Sequence, residues 1–150
     1  MQSIAQKLEF IIDEYIATLR GLPENKMSYK PSPLKWSKKE IIGHLIDSAQ
    51  NNIRRFIEAQ YRDEPAIVYD QDKWVNVTGY QDYDLENLNN LWYLLNKHIV
   101  AILKNMSNEA AQRKCFTSEA HTIEWLATDY IKHLRHHLHQ VLDLEPVAYP

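Results

Sequence analysis

Four of the seven histidines in this chain crowd into D-Y-I-K-H-L-R-H-H-L-H-Q, at His133, His136, His137 and His139. If that segment is helical, His133 and His137 stand one turn apart on one face, the spacing at which two imidazoles can grip one metal ion. Another histidine, His44, lies far upstream in W-S-K-K-E-I-I-G-H-L-I-D. Three neutral imidazoles on one ion leave coordination positions for water or a substrate, as catalytic sites do and structural sites do not. Such an ion can polarise a carbonyl, acidify a bound water or hold a thiolate as nucleophile. Imidazole ligands suit Zn or Ni, with Fe and Mn also within their range.

Four amphipathic helices are predicted to position these groups. In the first, Ile4, Leu8, Ile11, Tyr15 and Leu19 recur at helical spacing until Gly21 and Pro23. The second starts at Ser37 with Glu40 three residues on, a capping box, and carries Ile41, Leu45, Ala49, Ile53 and Phe56 toward Pro65. Asp84 caps the third, whose seam runs Leu85, Leu88, Trp92, Leu95, Ile99, Ile102 and Met106 and faces other helices or a second subunit. The fourth runs from about Thr122 to Leu142. Residues 61–83, between the second and third helices, are too long for an idle turn, and they suffice to return the chain to the same end of the bundle. The expected fold is therefore an all-α, up-down-down-up four-helix bundle with a long crossover, occupying residues 1–150 as one domain.

That topology makes the second and fourth helices antiparallel. His44 then lies about 10 Å into its helix, while His137 and His133 lie about 7 and 13 Å from the far end of theirs, so the depths coincide. On the helical wheel His133 and His137 fall at or within the apolar stripe, and His136 and His139 face solvent. His44 shares a polar face with Glu40, Asp47, Ser48 and Asn51, which predicts a cleft or surface position rather than the dry core. His98, at the edge of the third helix's stripe, competes with it as third ligand, and a chance cluster of surface histidines is the bland alternative.

Composition narrows the function. Apolar content of 45% with 25% charged residues describes an ordered globular chain, and three glycines favour long helices over a turn-rich sandwich. A net charge of −3 without a basic stripe argues against a nucleic-acid partner. No apolar run approaches the roughly 20 residues of a membrane span, and no secretory leader pattern is visible. Cys115 is the only cysteine, which fits a reducing, cytoplasmic setting and reads as a small packed residue rather than a nucleophile.

W-S-K-K-E-I-I-G-H-L-I-D-S, the upstream L-P-E-N-K-M-S-Y-K-P-S-P-L-K and the terminal H-L-R-H-H-L-H-Q-V together resemble the DinB/YfiT-like superfamily, essentially end to end. The resemblance implies an up-down-down-up bundle that commonly dimerises. It also implies a divalent ion held by the histidine of W-S-x-x-E-x-x-x-H and the pair of H-x-x-x-H: here His44, His133 and His137. Branches of that family use low-molecular-weight thiols such as bacillithiol or mycothiol at the metal, so a thiol cosubstrate and a small electrophilic substrate are expected. Three functions stand: a metal-dependent thiol S-transferase, a metal-dependent hydrolase of a small amide or ester, and a metal-binding bundle without catalysis. Asp47 and Asp129, each one turn from a proposed ligand, could orient an imidazole. Trp74 and Tyr80, with Tyr69 and Tyr83, either wall a substrate pocket or pack the crossover down. No set of cationic or amide groups for a thiol's carboxylates stands out.

Overall fold

Three of the four long helices begin where short polar side chains satisfy free backbone amides. Ser37 accepts from the amide of Glu40 while the Glu40 carboxylate accepts from the amide of Ser37, closing the expected capping box. Asp84 and Thr122 accept from the amides of Asn87 and Trp125. The computed structural model describes residues 1–149 and contains α1 (Gln2–Arg20), α2 (Glu24–Ser28), α3 (Lys38–Glu58), α4 (Gln71–Thr78), α5 (Leu85–Asn105), α6 (Asn108–Ala111) and α7 (Ile123–Leu142). Among the described residues no helix is long and apolar enough to cross a membrane.

Helices α1, α3, α5 and α7 form the bundle, with α5 and α7 each packed between α1 and α3. Cross-helix bonds fix the directions. Gln2 meets Lys104, Glu9 meets Lys97 and Lys104, and Arg20 meets Asn90, so α1 and α5 are antiparallel. Lys38 meets Asp143 and Phe56 meets Tyr130, so α3 and α7 are antiparallel as well. The up-down-down-up order expected from the crossover length is what forms. Trp92 is fully buried in the same core cluster as Leu45, Ile46, Phe56 and Leu134. At the centre, Tyr130 Oη donates to Asn96 Oδ1 at 2.6 Å, and Asn96 Nδ2 donates to the carbonyl of Trp92.

The crossover is more structured than its sequence pattern suggested. It carries α4, capped by Asp70 and stopped by Gly79 at φ 73°, then a 3-10 turn at Tyr80–Asp82. A two-stranded hairpin, β1 (Lys114–Phe116) with β2 (Ala120–Thr122), adds to the helical fold between α6 and α7. Phe116 bonds through its backbone to Pro65 and Ile67, so the crossover lies along the hairpin as a third edge. Cys115 is buried there, its Sγ 3.1 Å from the Pro65 carbonyl, in agreement with a packing role. Arg113 donates to the carbonyls of Ala59 and Arg62, satisfying acceptors past the end of α3.

Tyr80 seats on α3 at Gly43, where an added Cβ would fall inside its ring. Gly43→Ala should therefore expel Tyr80 and the crossover behind it, an overpacking defect of about 1–3 kcal/mol despite alanine's better helix propensity. Urea unfolding of the variant measures this, and an unchanged or higher midpoint would show that the crossover does not bear on the bundle.

Candidate metal centre

His44 enters from α3, and His133 and His137 from α7. One ring nitrogen from each lies within 4.8 Å of the others, and His44 Nε2 is 3.0 Å from His133 Nε2. Two nitrogens bound to one tetrahedral zinc sit about 3.3 Å apart, so the donors need only small adjustments to share an ion. His137 Nδ1 is 2.8 Å from Gln140 Oε1; as a carbonyl oxygen only accepts, the proton sits on Nδ1 and Nε2 keeps its lone pair for a ligand. Burial pushes His44 down to about 4 and His133 to about 2, with neighbouring histidines adding to both shifts, and burial also lowers His137. All three are neutral at pH 7, the state in which imidazole binds metal.

His133 and His137 thus stand opposite His44, as the coinciding depths predict, and of the two positions the wheel allows His44, the surface one is excluded. His44 is 1% exposed, beneath the Trp36 ring at a centroid distance of 5.1 Å. The polar face of α3 is covered by α7 on one side and by the crossover on the other. His98 is exposed on α5 and is no member of the cluster. His136 and His139 are half-buried rather than solvated, because the C-terminal tail folds over them. Their Nδ1 atoms donate to the carbonyls of Val147 and Glu145, and their Nε2 atoms pair with Gln140 and Tyr15, so neither offers a free nitrogen.

The expected supporting residues take other roles. Asp47 is buried, but its Oδ1 accepts from Tyr80 Oη at 2.5 Å and its Oδ2 has no partner; burial raises its carboxyl to about 6. Asp129 Oδ2 accepts from Tyr149 Oη at 2.8 Å. Neither carboxylate bonds an imidazole of the cluster. Tyr80 is buried against α3 and Trp74 packs edge-on to Tyr69, so both hold the crossover in place and neither lines the cleft beside the metal centre.

That cleft, of about 410 Å³, opens beside His133 between α3, α7, the crossover and the hairpin. Ser48, Asn52, Arg55, Tyr69, Trp125 and Tyr149 are among its walls. Arg55 and Asn52 did not emerge from the sequence as site residues. A signal was available: eleven residues at about 100° each bring Arg55 back within about 20° of His44 on the helical wheel.

The family model of the DinB superfamily matches residues 7–141. This chain belongs to the DinB superfamily. Among curated proteins it is 26% identical over 113 residues to YfiT of Bacillus subtilis, named provisionally as a metal-dependent hydrolase. The match covers 73% of this chain and 64% of that relative's length. The solved structure of YfiT, described as a four-helix bundle of unusual topology, superposes with a TM-score of 0.83 at 21% identity, over 94% of this chain and 83% of that one. A mycothiol-dependent maleylpyruvate isomerase superposes at 0.74 with 12% identity, over 97% of this chain and 61% of the isomerase. The bundle topology is therefore shared with proteins of quite different sequence.

Two outcomes are expected. Protein purified without chelator should carry up to one divalent ion per chain by elemental analysis. Alanine at His44, His133 or His137 should abolish this and at His136 or His139 should not; full occupancy in His44→Ala would exclude the site as described. The metal-free protein should also lose stability as pH falls from about 7 to about 5. Histidines whose folded pKa lies below the unfolded value near 6.5 bind protons preferentially when unfolded, so their contribution begins to be lost at about pH 6.5 and goes on falling toward the folded values, about 4 for His44 and about 2 for His133. Asp47, raised by folding, has the opposite sign but is one group against three. Urea midpoints across pH test this, and His44→Ala should flatten the dependence.

Proposed function

We propose that the chain holds one divalent ion on His44, His133 and His137 and serves as a metal-dependent thiol S-transferase for small electrophiles. The observation that carries the reading is the composition of the cluster: three neutral imidazoles, with no carboxylate or cysteine among them. A divalent ion in that place supplies Lewis acidity that keeps a thiol ionised at neutral pH. His137, oriented by Gln140, and His133, at the mouth of the cleft, direct their nitrogens to one point and leave the cleft side open for a small molecule. Trp36 covers His44 on another side, at a ring-centroid distance of 5.1 Å. The transfer forms a C–S bond, breaks the bond to the leaving group and passes the thiol proton to solvent. Because Cys115 is buried in the hairpin, the sulfur comes from a free low-molecular-weight thiol.

A hydrolase acting on a small amide or ester is the second reading, supported by the description attached to YfiT. Asp47 and Asp129 accept from Tyr80 and Tyr149, and neither bonds an imidazole of the cluster. One assay series separates the two readings: the same substrates, with and without thiol, across pH. Thiol-dependent turnover should vanish in the metal-free protein and survive Cys115→Ala. Turnover without thiol, declining below about pH 7 where an acidified water reprotonates, would establish the hydrolase instead. Loss of activity in Cys115→Ala with fold and metal intact would refute both.

A further inference from the structure

The cleft beside His133 contains one permanent cation among the described residues, Arg55 of α3. Its surroundings are unlike those of the other arginines on this stretch. Arg54 and Arg62 reach the Glu58 carboxylate at the surface, whereas Arg55 forms no ion pair among the described residues. Its Nε and Nη2 donate to the Ile67 carbonyl, and its Nη1 donates to Asn52 Oδ1. A guanidinium has five N–H groups, so these three bonds fix its plane and leave two N–H groups uncommitted. The Tyr69 ring lies 5.9 Å from its centre. Burial disfavours its charged form, and the Asp129 carboxylate on the same cleft offsets this in part without pairing to it directly. A half-buried guanidinium, oriented by its hydrogen bonds, without a direct ion pair and facing an open cleft, is suited to receive an anion.

Position along α3 determines what kind of anion. The bond to Asn52 sets the guanidinium at the level of that residue, eight residues and so about 12 Å along the helix from His44. Subtracting a metal–sulfur bond of about 2.3 Å and a hydrogen bond of about 2.8 Å leaves about 7 Å for the ligand itself. Ser48 lies on the cleft wall between the two ends.

Resting on the metal–thiol reading above, we infer that Arg55 binds a carboxylate of the ligand whose sulfur or electrophilic end lies at His133, so that the protein selects short anionic molecules over neutral ones. Its acceptor, the planar carboxylate, matches the two free N–H groups, and Asn52 and Ile67 hold the fork in the orientation that requires.

The test uses zinc-loaded full-length protein and two probes differing only at the far end, 6-mercaptohexanoate and 6-mercapto-1-hexanol, with binding measured by calorimetry. The acid should bind about tenfold more tightly than the alcohol. Arg55→Met should remove that preference while leaving zinc content and the affinity for the alcohol unchanged, and Arg55→Lys should restore part of it. Mercaptoacetate, too short to reach both ends, should show no sensitivity to Arg55→Met. Equal binding of acid and alcohol to the wild-type protein overturns the inference even if Arg55→Met fails to fold, as does a preference that persists in that variant. Failure of both probes to bind zinc-loaded protein overturns the thiol reading and this inference together, whereas failure to take up zinc overturns the metal centre itself.

Discussion

The structure depends on how α3 can be buried while carrying polar side chains on more than one face. Lys39, Glu40, His44, Asp47, Ser48, Asn51 and Asn52 are all buried, and a buried polar group left unpaired costs about 1–3 kcal/mol. Asn51 and Asn52 turn back on the carbonyls of their own helix. The others take partners from elsewhere: Lys39 from Glu24, Glu40 from Lys30, Asp47 from Tyr80. Thus the segments before α3 and after it are held down by the polarity of the helix they cover. The cleft beside His133 is bounded in part by that covering.

The four clustered histidines show how one residue type is sorted by its second nitrogen. His136 and His139 spend both ring nitrogens on the tail, on Gln140 and on Tyr15, and so act as structural bonds. His137 uses one nitrogen on Gln140, one turn on, which orients the other. Gln140 therefore touches two histidines with different purposes. The distinction lies in hydrogen bonds made by the tail, and a helical wheel contains no information about them.

This accounts for what could be read in the sequence. The helices were legible because Ser37, Asp84 and Thr122 are local signals acting within a few residues. The topology was legible because the length of residues 61–83 is a geometric constraint, and with it came the apposition of His44 with His133 and His137. The burial of His44 was not, since it depends on Trp36 and α7 covering a face whose composition resembles a solvated one. Asp47 and Asp129 were placed correctly on their helices, but their partners are tyrosines distant in the chain. The hairpin at Cys115 escaped notice because each strand has three residues, too few to show alternation, and the pairing is completed by Pro65 and Ile67.

The bond between Tyr130 and Asn96 sits where an apolar pair would satisfy packing equally well. A bundle held only by interchangeable leucines and isoleucines can slide by a helical turn with little penalty, since one apolar layer resembles the next. Here such a slip of α7 would strand a buried hydroxyl and a buried amide without partners. It would also carry His133 and His137 about 5.4 Å along the axis, out of reach of His44. The polar pair in the middle of the core therefore acts as an alignment pin, protecting the assembly of a centre to which neither residue belongs.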